Sequence, residues 1–111
     1  MDTELKVGDF AHVLNEYEAR RIVISPNGLN YGYAKNEVVV LALGKDSQDY
    51  GNNVIRGNMY IKISPSKELI KDAKEKLTKS LLAERKANRK YIDNLTFIEI
   101  SARLREYEQQ I

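Results

Sequence analysis

The chain has 111 residues, 42% of them hydrophobic and 31% charged, and a formal net charge of +2. That length allows one modest core and excludes two independent ones, and the balance of apolar and charged residues is that of a folded domain and not of a disordered or collagen-like chain. The absence of cysteine excludes a disulfide framework and any thiolate metal site, so a reducing, cytoplasmic setting is expected.

Met1-Asp2-Thr3-Glu4 lacks the basic-then-apolar pattern of a signal peptide, and no apolar run approaches the roughly 18 residues of a membrane span. Leu5 to Leu14 alternates apolar and polar positions around a Gly8-Asp9 bend and reads as a first strand. Arg20-Arg21-Ile22-Val23-Ile24 is a β-branched run that ends at Ser25-Pro26-Asn27-Gly28, a turn signal. Leu29, Tyr31 and Tyr33 mark a third strand. Glu37 to Leu43, with three consecutive valines, is the strongest strand signal and should be central. Gly44 to Asn53 reads as a loop, followed by two short closing strands at Val54-Ile55-Arg56 and Met59 to Ile63.

About five short strands with no helix between them predict an antiparallel barrel or strongly bent sheet. Lys6-Val7-Gly8-Asp9-Phe10-Ala11-His12-Val13 resembles the entry strand of SH3-like barrels of the KOW and Tudor type, and Val54 to Ile63 is similar to their closing segment. The resemblance covers residues 1–64 and implies a five-stranded antiparallel SH3-like barrel. It implies no particular partner, because such barrels serve many.

At Ser64-Pro65-Ser66 the chain changes character: the C-terminal part, residues 65–111, is Lys-rich and beyond Pro65 free of Gly and Pro. The serines and the proline predict a helix start, with Glu68 suited to its first turn. Leu69, Ile70, Ala73, Leu77 and Leu81 form an apolar stripe that predicts a helix to about Tyr91. Thr96 and Glu99 match a capping box that would open a second helix. Its stripe, Phe97, Ile100, Leu104, Tyr107 and Ile111, either packs within the chain as part of a helical hairpin or serves a partner, a second copy of the chain included. The fold class expected is thus α+β, a barrel followed by a helical hairpin in one cooperative unit. A single long kinked helix is the competing picture for the C-terminal half.

Catalysis finds no support. His12 is the one histidine, with no cysteine or nearby carboxylate at ligand spacing, so neither metal nor cofactor is expected. Gly44-Lys45-Asp46 lacks the flanking residues of a phosphate-cradling loop. Acidic pairs such as Asp46 with Asp49, or Glu16 with Glu18, fall in predicted loops where carboxylates are ordinarily solvated. The net charge is −1 up to Ser64 and +3 beyond it, concentrated between Lys74 and Lys90. Lys79, Arg85, Lys86, Arg89 and Lys90 can therefore lie along a phosphate backbone, or simply solvate the helix and complement its dipole. Arg20, Arg21 and Lys35 flank Tyr31 and Tyr33, a second set able to stack on and pair with unpaired nucleotides. The expected function is a non-enzymatic accessory protein that binds nucleic acid. The frequency of Lys, Ile and Asn hints at an AT-rich genome such as a phage's. The alternative is a protein-interaction module or inhibitor of a host protein, working through loops or the helical hairpin.

Overall fold

The computed structural model describes residues 4–14, 21–25, 28–31, 37–43, 50–52, 55, 60–87 and 93–111. The fold is α+β: an antiparallel sheet followed by two helices. The strands are β1 (Phe10–Val13), β2 (Arg21–Ser25), β3 (Gly28–Tyr31), β4 (Val38–Leu43) and β5 (Tyr60–Lys62), and the helices are α1 (Lys67–Ala87) and α2 (Asn94–Gln110). The sheet order is β3-β2-β4-β1-β5. β4 is central as its valine run requires, pairing Val40 with Phe10 on one side and with Ile24 on the other. β2 and β3 form a hairpin closed by the Ser25–Gly28 pair, where the turn signal lies. Ahead of β1, Leu5 bridges to Ile55.

Successive side chains of a strand point to opposite faces. Val39, Leu41 and Leu43 lie on one face of β4 and Val40 and Ala42 on the other, and all are at most 2% exposed. A strand covered on both sides reads as an unbroken apolar run, which is what Val38 to Leu43 is. The Phe10–Val40 face lies beneath α2, since the Phe10 and Tyr107 rings meet edge to face with centroids 6.0 Å apart. α1 runs beside α2 and along β2 and β3. No pairing among the described residues joins β3 to β5, so the described ladder is an open antiparallel sheet, and closure into the five-stranded barrel expected from the sequence is not shown.

Two separate helices replace the kinked single helix. Lys74, in the first half of α1, pairs with Glu108 near the end of α2, so the two run antiparallel. Ser66 caps α1 by accepting the Leu69 N–H at 3.2 Å, with Pro65 just before the cap. The α1 stripe is as predicted: Ile70, Ala73 and Leu77 are buried, with Leu69 and Leu81 partly so. Glu84 is buried on that side as well. The capping box at Thr96 is corrected. Asp93 is the N-cap, accepting from Thr96 N–H at 2.9 Å, and its other carboxylate oxygen accepts from Tyr50. The Thr96 hydroxyl instead donates to the Leu43 carbonyl at 3.3 Å, pinning the helix to the end of β4. Starting one turn earlier satisfies two groups with two residues, where a Thr96 cap would leave that buried carbonyl bond unmade. Glu99 is left without its capping role, and its carboxyl is pushed up by partial burial and by the Asp93 charge.

The halves are locked together at Asp9, which is completely buried. One of its oxygens accepts from Arg103 Nε at 2.7 Å and from the Tyr107 hydroxyl. The other accepts the Lys6 N–H at 2.8 Å, with Lys62 Nζ 3.6 Å away. Arg103 also reaches Glu106 at 2.7 Å and stacks over the Tyr107 ring at 4.7 Å. Burial alone would lower the Arg103 guanidinium, but its bonds to Asp9 and Glu106 win and raise it above its ordinary value. Burial, reinforced by the bond to Asp9, pushes the Tyr107 phenol well up.

Gly8 precedes this carboxylate with φ +93°, and an added Cβ would fall 2.5 Å from Arg103 Cβ. Gly51 has φ +89° with open space around it. Gly8→Ala is expected to destabilise by about 3 kcal/mol, positive φ and displacement of α2 together, and Gly51→Ala by only about 1 kcal/mol. Urea midpoints of the two variants measure the difference, and equal losses would show that α2 does not rest on the Gly8 turn.

A raised phenol pKa gives a defined alkaline response. The unfolded chain loses the Tyr107 proton from about pH 10, while the folded chain keeps it, so stability falls as pH rises through that window. Tyr107→Phe should cost about 1–2 kcal/mol at neutral pH by removing a donor to a buried carboxylate, and the gap from the parent should narrow above about pH 10. Urea titrations between about pH 8 and 11 test this, and a constant gap would remove the phenol from the linkage.

Candidate anion-binding face

The cations named by the sequence divide when placed on the fold. Lys79, Arg85 and Lys86 are exposed on α1. Arg89, Lys90, Arg20, Tyr33 and Lys35 lie outside the described residues, as do Gly44 to Asp49, Glu16 and Glu18. Arg21 occupies the β2 position paired with Leu43, and Tyr31 the β3 position paired with Ile22. Of the candidate basic run and the tyrosine set, only Lys79, Arg85, Lys86, Arg21 and Tyr31 are therefore among the described residues.

The structure does show a different grouping. A helix turns about 100° per residue, so residues spaced by 4, 7, 11 and 18 return close to one line. Lys67, Lys71, Lys74 and Arg85 fall within about 60° of each other on α1, all four exposed. Thr78 is on this line and no carboxylate of α1 is. Lys79 and Lys86 lie on another line, about 100° around the helix, shared with Glu68 and Glu75. Lys76 is paired with Asp72 at 2.6 Å. Arg85 thus shares a line with the lysines of the first turns, and Lys79 and Lys86 share a mixed, solvated side with Glu68 and Glu75. The signal was available in the i, i+4, i+7 spacing of Lys67, Lys71 and Lys74, which the density of charge between Lys74 and Lys90 obscured.

Between the start of α1 and the end of α2 the same line borders a cleft of about 370 Å³, lined by Lys67, Ile70, Lys71, Lys74 and Glu108. Glu108 pairs with Lys74. Lys67 and Lys71 have no ionic partner among the described residues. Ammonium groups in that position can serve as point-charge donors to phosphate oxygens.

The predicted partner stripe of α2 is largely spent inside the molecule. Ile100, Leu104 and Tyr107 are 0%, 1% and 7% exposed and belong to the core, while Phe97 and Ile111 are 37% and 51% exposed. The first three cannot present a surface to a partner without unfolding, which corrects that part of the reading in favour of intramolecular packing. The apolar residues α2 does expose, besides Phe97 and Ile111, are Leu95 and Ile98.

His12 is half-buried on β1 between Val38 and Ile61. Among the described residues no cluster of His, Asp or Glu has the makings of a metal site, and no helix is long and apolar enough to cross a membrane. No protein-family profile, curated protein or solved structure matches the chain.

Proposed function

We propose that the chain is a non-enzymatic, phage-encoded cytoplasmic accessory protein that contacts the phosphates of a nucleic acid along α1. One observation carries this reading: Lys67, Lys71, Lys74 and Arg85 share an exposed line that no α1 carboxylate enters. From Lys67 to Arg85 the line is about 27 Å long at a rise of 1.5 Å per residue, enough to follow several phosphates of a strand. Binding of this kind positions a backbone and reads little sequence. The near-neutral net charge of +2 limits attraction at long range, so affinity comes from the local line and not from the field of the whole molecule. In this proposal the SH3-like likeness of the β half serves as a scaffold that holds the helices, and Arg89, Lys90, Arg20, Arg21, Tyr31, Tyr33 and Lys35 extend the contact.

A second reading is favoured by the exposed Leu95 and Ile98, which with Ala102 share one line of α2. Such a line fits the groove of a host protein or of a second copy of the chain. Salt separates the two, because phosphate contacts release counterions and apolar contacts do not.

Fluorescence anisotropy of labelled single- and double-stranded DNA and RNA across a salt series is the test. Binding should weaken steeply with salt, Lys71→Glu with Arg85→Glu should reduce affinity at least about tenfold, and Lys79→Glu with Lys86→Glu no more than about threefold. All these positions are exposed, so urea midpoints should stay within about 0.5 kcal/mol of the parent. Absence of binding at low salt would overturn the proposal and leave the protein-interaction reading.

A further inference from the structure

The cleft at the head of α1 differs from the rest of the basic line in having depth, an apolar base and a counter-charge. Ile70, 2% exposed, forms its base, and the methylene stems of the lysines add apolar wall below their charged ends. Glu108 holds Lys74 at the α2 side, which leaves Lys67 and Lys71, one turn apart on the same helix face, to engage a ligand. Lys67 and Lys71 form no ion pair among the described residues, and with the nearest α1 carboxylates, Glu68 and Glu75, turned to the neighbouring side of the helix the two ammonium groups can meet a doubly charged anion. A phosphodiester within a strand carries one negative charge, whereas a phosphomonoester carries about 1.5 to 2 at neutral pH. The volume of about 370 Å³ lies at the small end of ligand sites, sufficient for a nucleoside monophosphate.

We propose that this cleft binds a phosphomonoester attached to a nucleoside, either a free mononucleotide or the phosphorylated end of a nucleic-acid strand. The phosphate sits between Lys67 and Lys71, and the nucleoside packs against the lysine stems. The strand-end form rests on the reading of α1 as a nucleic-acid contact: an end seated at Lys67 would send the strand along the line toward Arg85. The free-nucleotide form stands without that reading.

The experiment is a 1H–15N NMR titration of the full chain with AMP and with adenosine, alongside anisotropy with a 5′-phosphorylated oligonucleotide and its 5′-hydroxyl twin. AMP should shift the amides of Lys67, Ile70 and Lys71 and adenosine should not. Lys67→Gln with Lys71→Gln should weaken AMP at least about tenfold, whereas Lys79→Gln with Lys86→Gln should leave it unchanged. A gain for the 5′-phosphorylated strand that disappears in the Lys67/Lys71 variant identifies a strand end, and AMP binding without that gain identifies a free nucleotide. AMP binding with no salt-sensitive strand binding would sink the backbone reading and uphold the cleft. Salt-sensitive strand binding with no amide shifts at the cleft, equal shifts from adenosine, or an unaltered Lys67/Lys71 variant would each overturn the cleft proposal.

Discussion

The carboxylate of Asp9 is the constraint on which this fold turns. An ionised carboxylate removed from water costs several kcal/mol unless its lone pairs are filled, and Asp9 is completely buried. Its own turn provides one donor, the Lys6 N–H. The others come from Arg103 and Tyr107, 94 and 98 residues away. A β half without α2 would lose the Arg103 and Tyr107 donors and open Asp9 and Phe10 to water, and α2 without the β half would expose Ile100, Leu104 and Tyr107. Each part lacks what the other supplies. Gly8 belongs to the same junction, because its missing side chain is what allows α2 to come close enough for Arg103 and Tyr107 to reach.

Docking α2 in this way decides what remains for a partner. Its apolar stripe is consumed by Phe10 and the β4 face, so the surface of the helical pair is defined by α1 and by the outer side of α2. On α1 the core stripe of Ile70, Ala73 and Leu77 fixes the rotation of the helix. The line of Lys67, Lys71, Lys74 and Arg85 then falls about a quarter turn from the core, beside α2, and the mixed line of Lys79 and Lys86 points further away. The same packing that buries the apolar stripe thus segregates cations from carboxylates and opens the cleft against Glu108.

What was legible in the sequence were features with a local cause. The valine run of β4, the Ser25 to Gly28 turn, the Ser66 cap and the α1 stripe each depend on residues within a turn or a strand of one another. The parts that were missed depend on distant partners. Asp9 looked like half of a bend, and no local pattern relates it to an arginine at the other end of the chain. Thr96 with Glu99 satisfied the spacing of a capping box, but whether a threonine caps its own helix or bonds a carbonyl of β4 is a tertiary competition. Asp93, a better acceptor three residues earlier, released Thr96 for the second task. Barrel closure was inferred from the number and spacing of strands and from generic turn-and-strand motifs, and these do not say how the sheet edges meet.

The placement of charge is the last consequence. Lysines on a helix cost little wherever they are solvated, and a random scatter of them would suffice for solubility. Here the acidic residues of α1 are spent elsewhere: Asp72 on Lys76, Glu84 on the buried side, and Glu68 and Glu75 on the mixed line. Among the described residues, the one carboxylate that pairs with the remaining line comes from the other helix, where Glu108 meets Lys74 and not Lys67 or Lys71. Two adjacent ammonium groups without compensation repel each other by an amount that water and salt keep small while the face is open. A dianionic group seated between them would replace that repulsion with two attractions at once. This gives the cleft a reason to prefer a terminal phosphate over an internal one, a preference that uniform surface charge cannot produce.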